Sequence, residues 1–267
     1  MNLSQYANNV TSQYGEDGII AEIIKTIGDD IARYCVEFGA WDGNHLSNTW
    51  SLVNDHGWGV CYIESDRQRY LDLKQMYSEN PKVTAIKALV TDSSVPNTSL
   101  SELLSKAGVP ERIGVVSIDI DGNDYHVWRD FQGFTVDVVV IEYNHTIPPD
   151  VEYVDEGGKA FMGSSALALV NLAKSKGYRL LACTIANCIF VRDELYPKFN
   201  IADNSVEVLM PREGLTFVAR NFAGEVVFSS KTVLGPIIGF IGYRRLRKWI
   251  KLLIKRKKSF RYLGEEY

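Results

Sequence analysis

The run Val36-Glu-Phe-Gly-Ala-Trp-Asp-Gly-Asn-His-Leu-Ser-Asn48 constrains the fold more than any other stretch, because a short apolar strand breaks there into a glycine turn and then a helix. Tyr34 to Phe38 are strand-forming, and Gly39 and Gly43 admit backbone angles and close approaches that side chains block. Ser47 stands where it can cap a helix running through Trp50, Leu52 and Val53. The same alternation continues along the chain. Helices are expected at about 16–27, 47–56, 66–77, 99–107 and 164–176, and strands at about 34–38, 59–64, 83–89, 113–119, 136–142, 178–183 and 187–192. Strands alternating with helices build a mostly parallel sheet covered on both faces. The connection Thr184-Ile-Ala-Asn187 is too short for a crossover, so the last two strands form an antiparallel hairpin. A chain of 267 residues, 46% hydrophobic, can bury one sizeable α/β core.

A glycine turn at the end of a first strand is a cradle for a nucleotide-like ligand, and the acids around it say which kind. A dinucleotide fold uses G-x-G-x-x-G so that a helix N-terminus meets a pyrophosphate. Here the glycines are spaced G-x-x-x-G, with Glu37 upstream and Asp42 inside the turn. Carboxylates there repel a pyrophosphate and suit a ligand carrying an amino group, a sulfonium and a ribose. The segment resembles motif I of the class I S-adenosylmethionine-dependent methyltransferases, E-x-G-x-x-x-G; a tight β-α turn with an unrelated glutamate is the other reading. Glu64, at the end of the second strand and followed by Ser65, is the expected partner of the ribose hydroxyls, a device shared with NAD-binding folds. The third strand runs through Ala88, Leu89 and Val90 and ends at Thr91-Asp92, where the resemblance places the adenine.

The second constellation is Val115-Val-Ser-Ile-Asp-Ile-Asp-Gly-Asn-Asp-Tyr-His126, a buried strand ending in Asp119, Asp121 and Asp124 at the carboxyl edge, where open α/β folds bind ligands. Clustered carboxylates repel unless a cation, a shared proton or hydrogen bonds offset the charge. A further buried strand, Val138-Val-Val-Ile-Glu-Tyr-Asn-His145, brings Glu142, Asn144 and His145 to the same edge. Oxygen ligands from Asp119, Asp121 and Glu142 suit Mg²⁺ or Mn²⁺. Asx turns and helix caps are the plainer use of such aspartates, and Asp119 can instead meet the cofactor's amino group. His145 is the candidate general base, and a loop residue otherwise.

Taken together, Ser12-Gln-Tyr-Gly-Glu-Asp-Gly-Ile19, the motif around Glu37, Ser117-Ile-Asp-Ile-Asp-Gly-Asn-Asp124 and Ile141-Glu-Tyr-Asn144 resemble the FkbM-like branch of class I methyltransferases over about residues 10–195. The resemblance implies a Rossmann-like seven-stranded sheet with a C-terminal antiparallel hairpin, and O-methylation of a sugar hydroxyl, of a surface glycan or its precursor. It implies a cofactor pocket of Gln13, Glu16, Glu37, Gly39, Ala40, Asp42, Gly43, Asn44, Ser47, Asn48, Glu64, Ser65, Ala88, Leu89, Val90 and Asp119, with Asp121, Glu142 and His145 at the acceptor. The run Asp-x-Asp-Gly-x-x-Tyr is also similar to the acidic segment of magnesium-dependent antibiotic-sugar O-methyltransferases. The paired Asp-Asp motif of that group does not follow the fifth strand here, and Glu142 with His145 stand in its place.

Cys35, Cys61, Cys183 and Cys188 lack C-x-x-C spacing, which argues for reduced core thiols rather than zinc. Met1 to Tyr14 lack the basic and apolar regions of a secretory signal, and no stretch has 18 uninterrupted apolar residues, so a cytoplasmic protein is expected. Pro148 to Gly163 is read as a lid over the acceptor, or else as a solvated loop. Residues 1–195 form the expected methyltransferase domain and 196–232 a small β appendage with strand-like pieces around 205–210, 216–219 and 225–228; 233–267 is a basic amphipathic segment. Ten of the 29 Lys and Arg lie between Arg244 and Arg261, with no acid among them, although the whole chain is net −4. Leu246, Trp249, Ile250, Leu253 and Ile254 recur at helical spacing beside those charges, the pattern of an interfacial helix on the anionic inner face of a membrane. The acidic body disfavours nucleic acid. The competing functions are an NAD-dependent oxidoreductase and a metal-dependent phosphoryl or phosphodiester hydrolase.

Overall fold

The computed structural model describes residues 1–157 and 163–212, together with three short strands further on. In chain order the elements are α1 (Glu16–Ile27), β1 (Tyr34–Phe38), α2 (Trp50–Asn54), β2 (Gly59–Glu64), α3 (Arg67–Met76), β3 (Val83–Lys87), α4 (Leu100–Lys106), β4 (Arg112–Ile118), α5 (Asp124–Asp130), β5 (Thr135–Glu142), α6 (Ala166–Ser175), β6 (Tyr178–Cys183), β7 (Asn187–Arg192) and α7 (Val206–Leu209). Seven strands form one sheet in the order β3-β2-β1-β4-β5-β7-β6. All neighbours are parallel except β7, which runs antiparallel to both β5 and β6. This is the Rossmann-like sheet with a terminal hairpin that the alternation of elements requires.

The central strands read as apolar runs because both their faces are covered. Val36, Val60, Val115, Val116, Val138, Val140, Ile189 and Val191 are buried throughout, and Ile19, Ile20, Ile23 and Ile27 recur on one face of α1, which packs into the same core. The order reverses direction between β1 and β4, and that switch point opens a crevice at the carboxyl edge. At the opposite edge, the fully buried Asp137 of β5 accepts from Ala32 N at 2.9 Å, from Arg192 Nε at 2.9 Å and from Arg112 at 3.2 Å. Removing this carboxylate strands two guanidinium groups at the seam of β4, β5 and β7. Asp137→Ala is therefore expected to cost about 3 kcal/mol, measured by urea denaturation, with little change in ligand affinity.

Two local expectations need correction. Residues 205–210 are not a strand: Val206–Leu209 is a short helix and, with Phe199 and Met210, buries apolar side chains. Residues 196–212 accordingly belong to the first compact unit, which runs from Met1 to Arg212, rather than to an appendage starting at 196. Helix α5 was not anticipated; its seven residues carry too little periodicity, and burial of Val127 and Trp128 stabilises it. The second unit, Glu213–Tyr267, contains a three-stranded sheet of β8 (Val218–Arg220), β9 (Val226–Phe228) and β10 (Arg261–Tyr262). The basic amphipathic segment otherwise lies outside the described residues. Among those described, no helix is long and apolar enough to cross a membrane.

Candidate active site

The glycine turn is organised from beneath by Glu37. Its Oε1 accepts from Asn48 N at 2.8 Å, and its Oε2 from Ser47 Oγ at 2.6 Å and Thr49 Oγ1 at 2.7 Å. Burial raises the pKa of this carboxyl, and the three donors oppose the rise. Asp42 closes an Asx turn on Asn44 N and His45 N, at 3.0 and 2.7 Å. Gly39 (φ +73) and Gly43 (φ +78) are left-handed, and a Cβ at Gly39 would collide with the Asp119 carbonyl oxygen, so the turn leans directly on the end of β4. At Gly43 a Cβ would meet Tyr77 at 2.7 Å and Leu73 at 2.8 Å.

The expected cofactor residues therefore divide into two groups. Glu37, Ser47 and Asn48 are buried and spend their polar atoms on one another, with Asn48 also reaching Ser117 Oγ at 3.1 Å. Glu16 behaves likewise: fully buried, it accepts from Thr184 Oγ1 at 2.6 Å, Asn187 Nδ2 at 3.0 Å and Tyr14 N at 2.8 Å. These four tie the cradle together through their hydrogen bonds. Ala40, Gly43 and Val90 are buried, whereas Gly39, Asn44, Ser65, Leu89 and Gln13 are exposed around the crevice. Glu64 takes Trp41 N at 2.8 Å on Oε2 and Asp66 N at 2.7 Å on Oε1, which ties the turn to the end of β2. Ser65 Oγ also donates to Oε1, at 3.5 Å.

Asp17, which with Glu16 reads in sequence as a helix cap, has a longer reach. Asp17 Oδ2 accepts from the backbone N–H groups of Val10, Thr11 and Ser12 at 2.8, 2.9 and 2.8 Å, and so holds the segment before α1 beside the cradle. Thr11 Oγ1 in turn donates to Ser47 O at 2.9 Å. An acid in the first turn of a helix reads in sequence as a dipole effect, and its partners upstream are not legible there.

At the ends of β4 and β5, Asp119, Asp121 and Glu142 converge, with one carboxylate oxygen of each lying within 4.8 Å of the others. Asp121 has φ +58, a left-handed setting that a non-glycine residue adopts only under constraint. Asp124 supplies that constraint: it accepts from Ile120 N and Gly122 N, each at 2.9 Å, and closes the loop instead of joining the cluster. Desolvation pushes the Glu142 carboxyl up to about 9, with the charges of Asp119, Asp124 and Asp121 adding to it. Asp119 rises to about 6, first through desolvation and then through Asp121, while a hydrogen bond from Glu142 opposes the rise. Asp119 itself opens to solvent at the crevice mouth, and the protein closing the other sides accounts for the desolvation. In the absence of a cation, Glu142 holds the proton and shares it with Asp119. Three hard oxygen donors at this separation fit a divalent cation such as Mg²⁺, which would take the place of that proton. His145 is half-buried, three residues beyond Glu142; desolvation lowers its pKa and keeps the ring neutral.

The segment expected as an acceptor lid is anchored at both ends. Asp155 is buried, and its carboxylate accepts from Gly157 N and Gly163 N, each at 2.9 Å. Tyr153 and Ser165 exchange backbone and hydroxyl bonds at 2.8 and 2.9 Å, and His126 Nε2 meets the Asp155 carbonyl at 2.6 Å. Residues 158–162 lie outside the described residues. Beside this base, an open cavity of about 330 Å³ is lined only by polar side chains, among them Asp92, Ser93, Arg129 and Glu156.

No protein-family model matches the chain, and no curated protein matches it. Solved structures similar to it include the citrinin polyketide synthase CMeT domain (12% identity, 60% of this chain and 46% of that chain, TM-score 0.40). M. capricolum TrmK, in complex with its cofactor product S-adenosylhomocysteine, matches at 11% identity over 65% of this chain and 67% of that one, TM-score 0.42. The N-terminal domain of EvdMO1, in the presence of S-adenosylhomocysteine and D-fucose, matches at 12% over 66% and 82%, TM-score 0.44. The chain spans less than half the length of the first of these.

Proposed function

We propose that this protein is an S-adenosylmethionine-dependent O-methyltransferase acting on a sugar hydroxyl of a glycan or glycan precursor, with a divalent cation held by Asp119, Asp121 and Glu142. The observation that carries this reading is the convergence of those three carboxylates at the switch-point crevice, across β1 from the ribose-holding position of Glu64. Asn44, Ser65, Ala88 and Leu89 border the cofactor side, and Asp121 and Glu142 face the acceptor.

Bound there, the cofactor supplies a sulfonium methyl group and leaves as a thioether. The acceptor oxygen forms its new bond to the methyl carbon in line with the breaking carbon–sulfur bond, and the hydroxyl proton passes to a ring nitrogen of the neutral His145. Asp119, Asp121 and Glu142 would hold a divalent cation, which would supply Lewis-acid activation of the attacking hydroxyl. Positioning carries much of the rate. Calorimetric titration with S-adenosylhomocysteine and NAD tests the reading. Binding of the first and not the second is expected; the reverse would make the oxidoreductase the better account.

Proton competition at the cluster gives a further expectation. Because Glu142 is raised to about 9 and Asp119 to about 6, both must lose protons before a cation is fully held. Mg²⁺ affinity should therefore rise with pH from 6 to 9, with proton release visible as a buffer-dependent binding enthalpy. An affinity that is flat over this range would remove the cation from the scheme. The basic segment from Arg244 to Arg261 is proposed to hold the enzyme at an anionic bilayer. Full-length protein should float with phosphatidylserine vesicles at low salt and a chain ending at Lys231 should not; equal partitioning refutes it.

A further inference from the structure

Four features meet at Trp41. It is a bulky residue in the left-handed region, φ +51, where side chains other than glycine are strained. It is 39% exposed, and among the described Phe, Tyr and Trp side chains only Tyr153 is also exposed. Its amide donates to Glu64 Oε2 at 2.8 Å, so the ring stands beside whatever that carboxylate holds. The guanidinium of Arg69, on the first turn of α3, lies 3.4 Å from the ring centroid, and His45 borders the ring at 4.6 Å with a 58° tilt. Among the described residues, Arg69 forms no ion pair, and its guanidinium donates no hydrogen bond. Its contact with the indole is what fixes it.

A planar cation laid on an aromatic ring polarises and orients it without consuming its exposed surface. From these contacts we infer that Trp41, steadied by Arg69, is the stacking surface for the adenine of the cofactor, an inference that rests on the methyl-transfer reading. Position favours the cofactor over the acceptor as its occupant. Trp41 and Arg69 follow β1 and β2, whereas the acidic cluster follows β4 and β5 on the other side of the switch point. A flat nucleobase matches an exposed indole, and base-on-aromatic stacking contributes on the order of tenfold or more in affinity.

The test is calorimetric binding of S-adenosylhomocysteine and of adenosine to the full chain and to three variants, with thermal midpoints alongside. Trp41→Gly relieves the backbone strain, so its midpoint should hold or rise while affinity for both ligands falls by about tenfold or more. Trp41→Phe should keep affinity within about threefold, and Arg69→Met should weaken it by about threefold to tenfold. Wild-type affinity in Trp41→Gly would overturn the inference. So would a midpoint that falls together with affinity, since that marks the ring as packing. Failure of the wild-type chain to bind S-adenosylhomocysteine would overturn the cofactor reading and this inference with it.

Discussion

Glu37→Ala is expected to destabilise the protein by about 3 kcal/mol and to abolish measurable binding of S-adenosylhomocysteine. The carboxylate is the common acceptor for Ser47 Oγ, Thr49 Oγ1 and Asn48 N, none of which has water to turn to when it is gone. Hydrogen bonds to a charged acceptor contribute about 1.5–3 kcal/mol each, and only partial relaxation of the turn can offset their loss. The affinity loss exceeds what a single ligand contact explains, because the turn from Gly39 to Thr49 loses its floor. Denaturant melts and calorimetry separate the two effects. A stable, ligand-binding Glu37→Ala protein would show that the turn is held from elsewhere.

Asp121→Ala and Glu142→Ala should each lower methyl transfer to a sugar acceptor by on the order of 10³-fold while leaving S-adenosylhomocysteine affinity within about threefold. Stability should move the other way at alkaline pH. The folded chain holds Glu142 protonated up to about 9, so the native state loses stability as pH rises from the ordinary carboxyl range through that value. Glu142→Gln removes that penalty, and its melting temperature should exceed the wild type's above pH 8 and approach it near pH 4. Undiminished turnover in either alanine variant would take these residues out of the reaction.

The sheet was legible because its signals are local and repeated. β1, β2, β6 and β7 occupy the expected residues, and the short Thr184–Asn187 link alone dictates the antiparallel hairpin. The acidic cluster was legible for a related reason: two apolar runs ending in acids must deliver them to one edge if both are parallel strands. What the sequence concealed was the division of labour among polar residues. Nothing local shows that Glu37 binds a turn ten residues on while Glu64 ties the turn after β1 to the end of β2. Nor does sequence reveal that Asp124 closes its own loop while Asp119 and Asp121 face outward. Left-handed backbone at Trp41 arises against residue preference, whereas at Asp121 it is a setting aspartate tolerates.

The contact between Gly39 and the Asp119 carbonyl bears on how finely transfer can be tuned. Two loops that touch backbone to backbone, with no side chain between them, cannot be adjusted separately. In the proposed reaction one loop carries the methyl donor and the other the acceptor, so their separation is set where Gly39 meets the backbone of Asp119. Substrate preference can then drift through side chains at the rim while the gap the methyl group crosses stays constant.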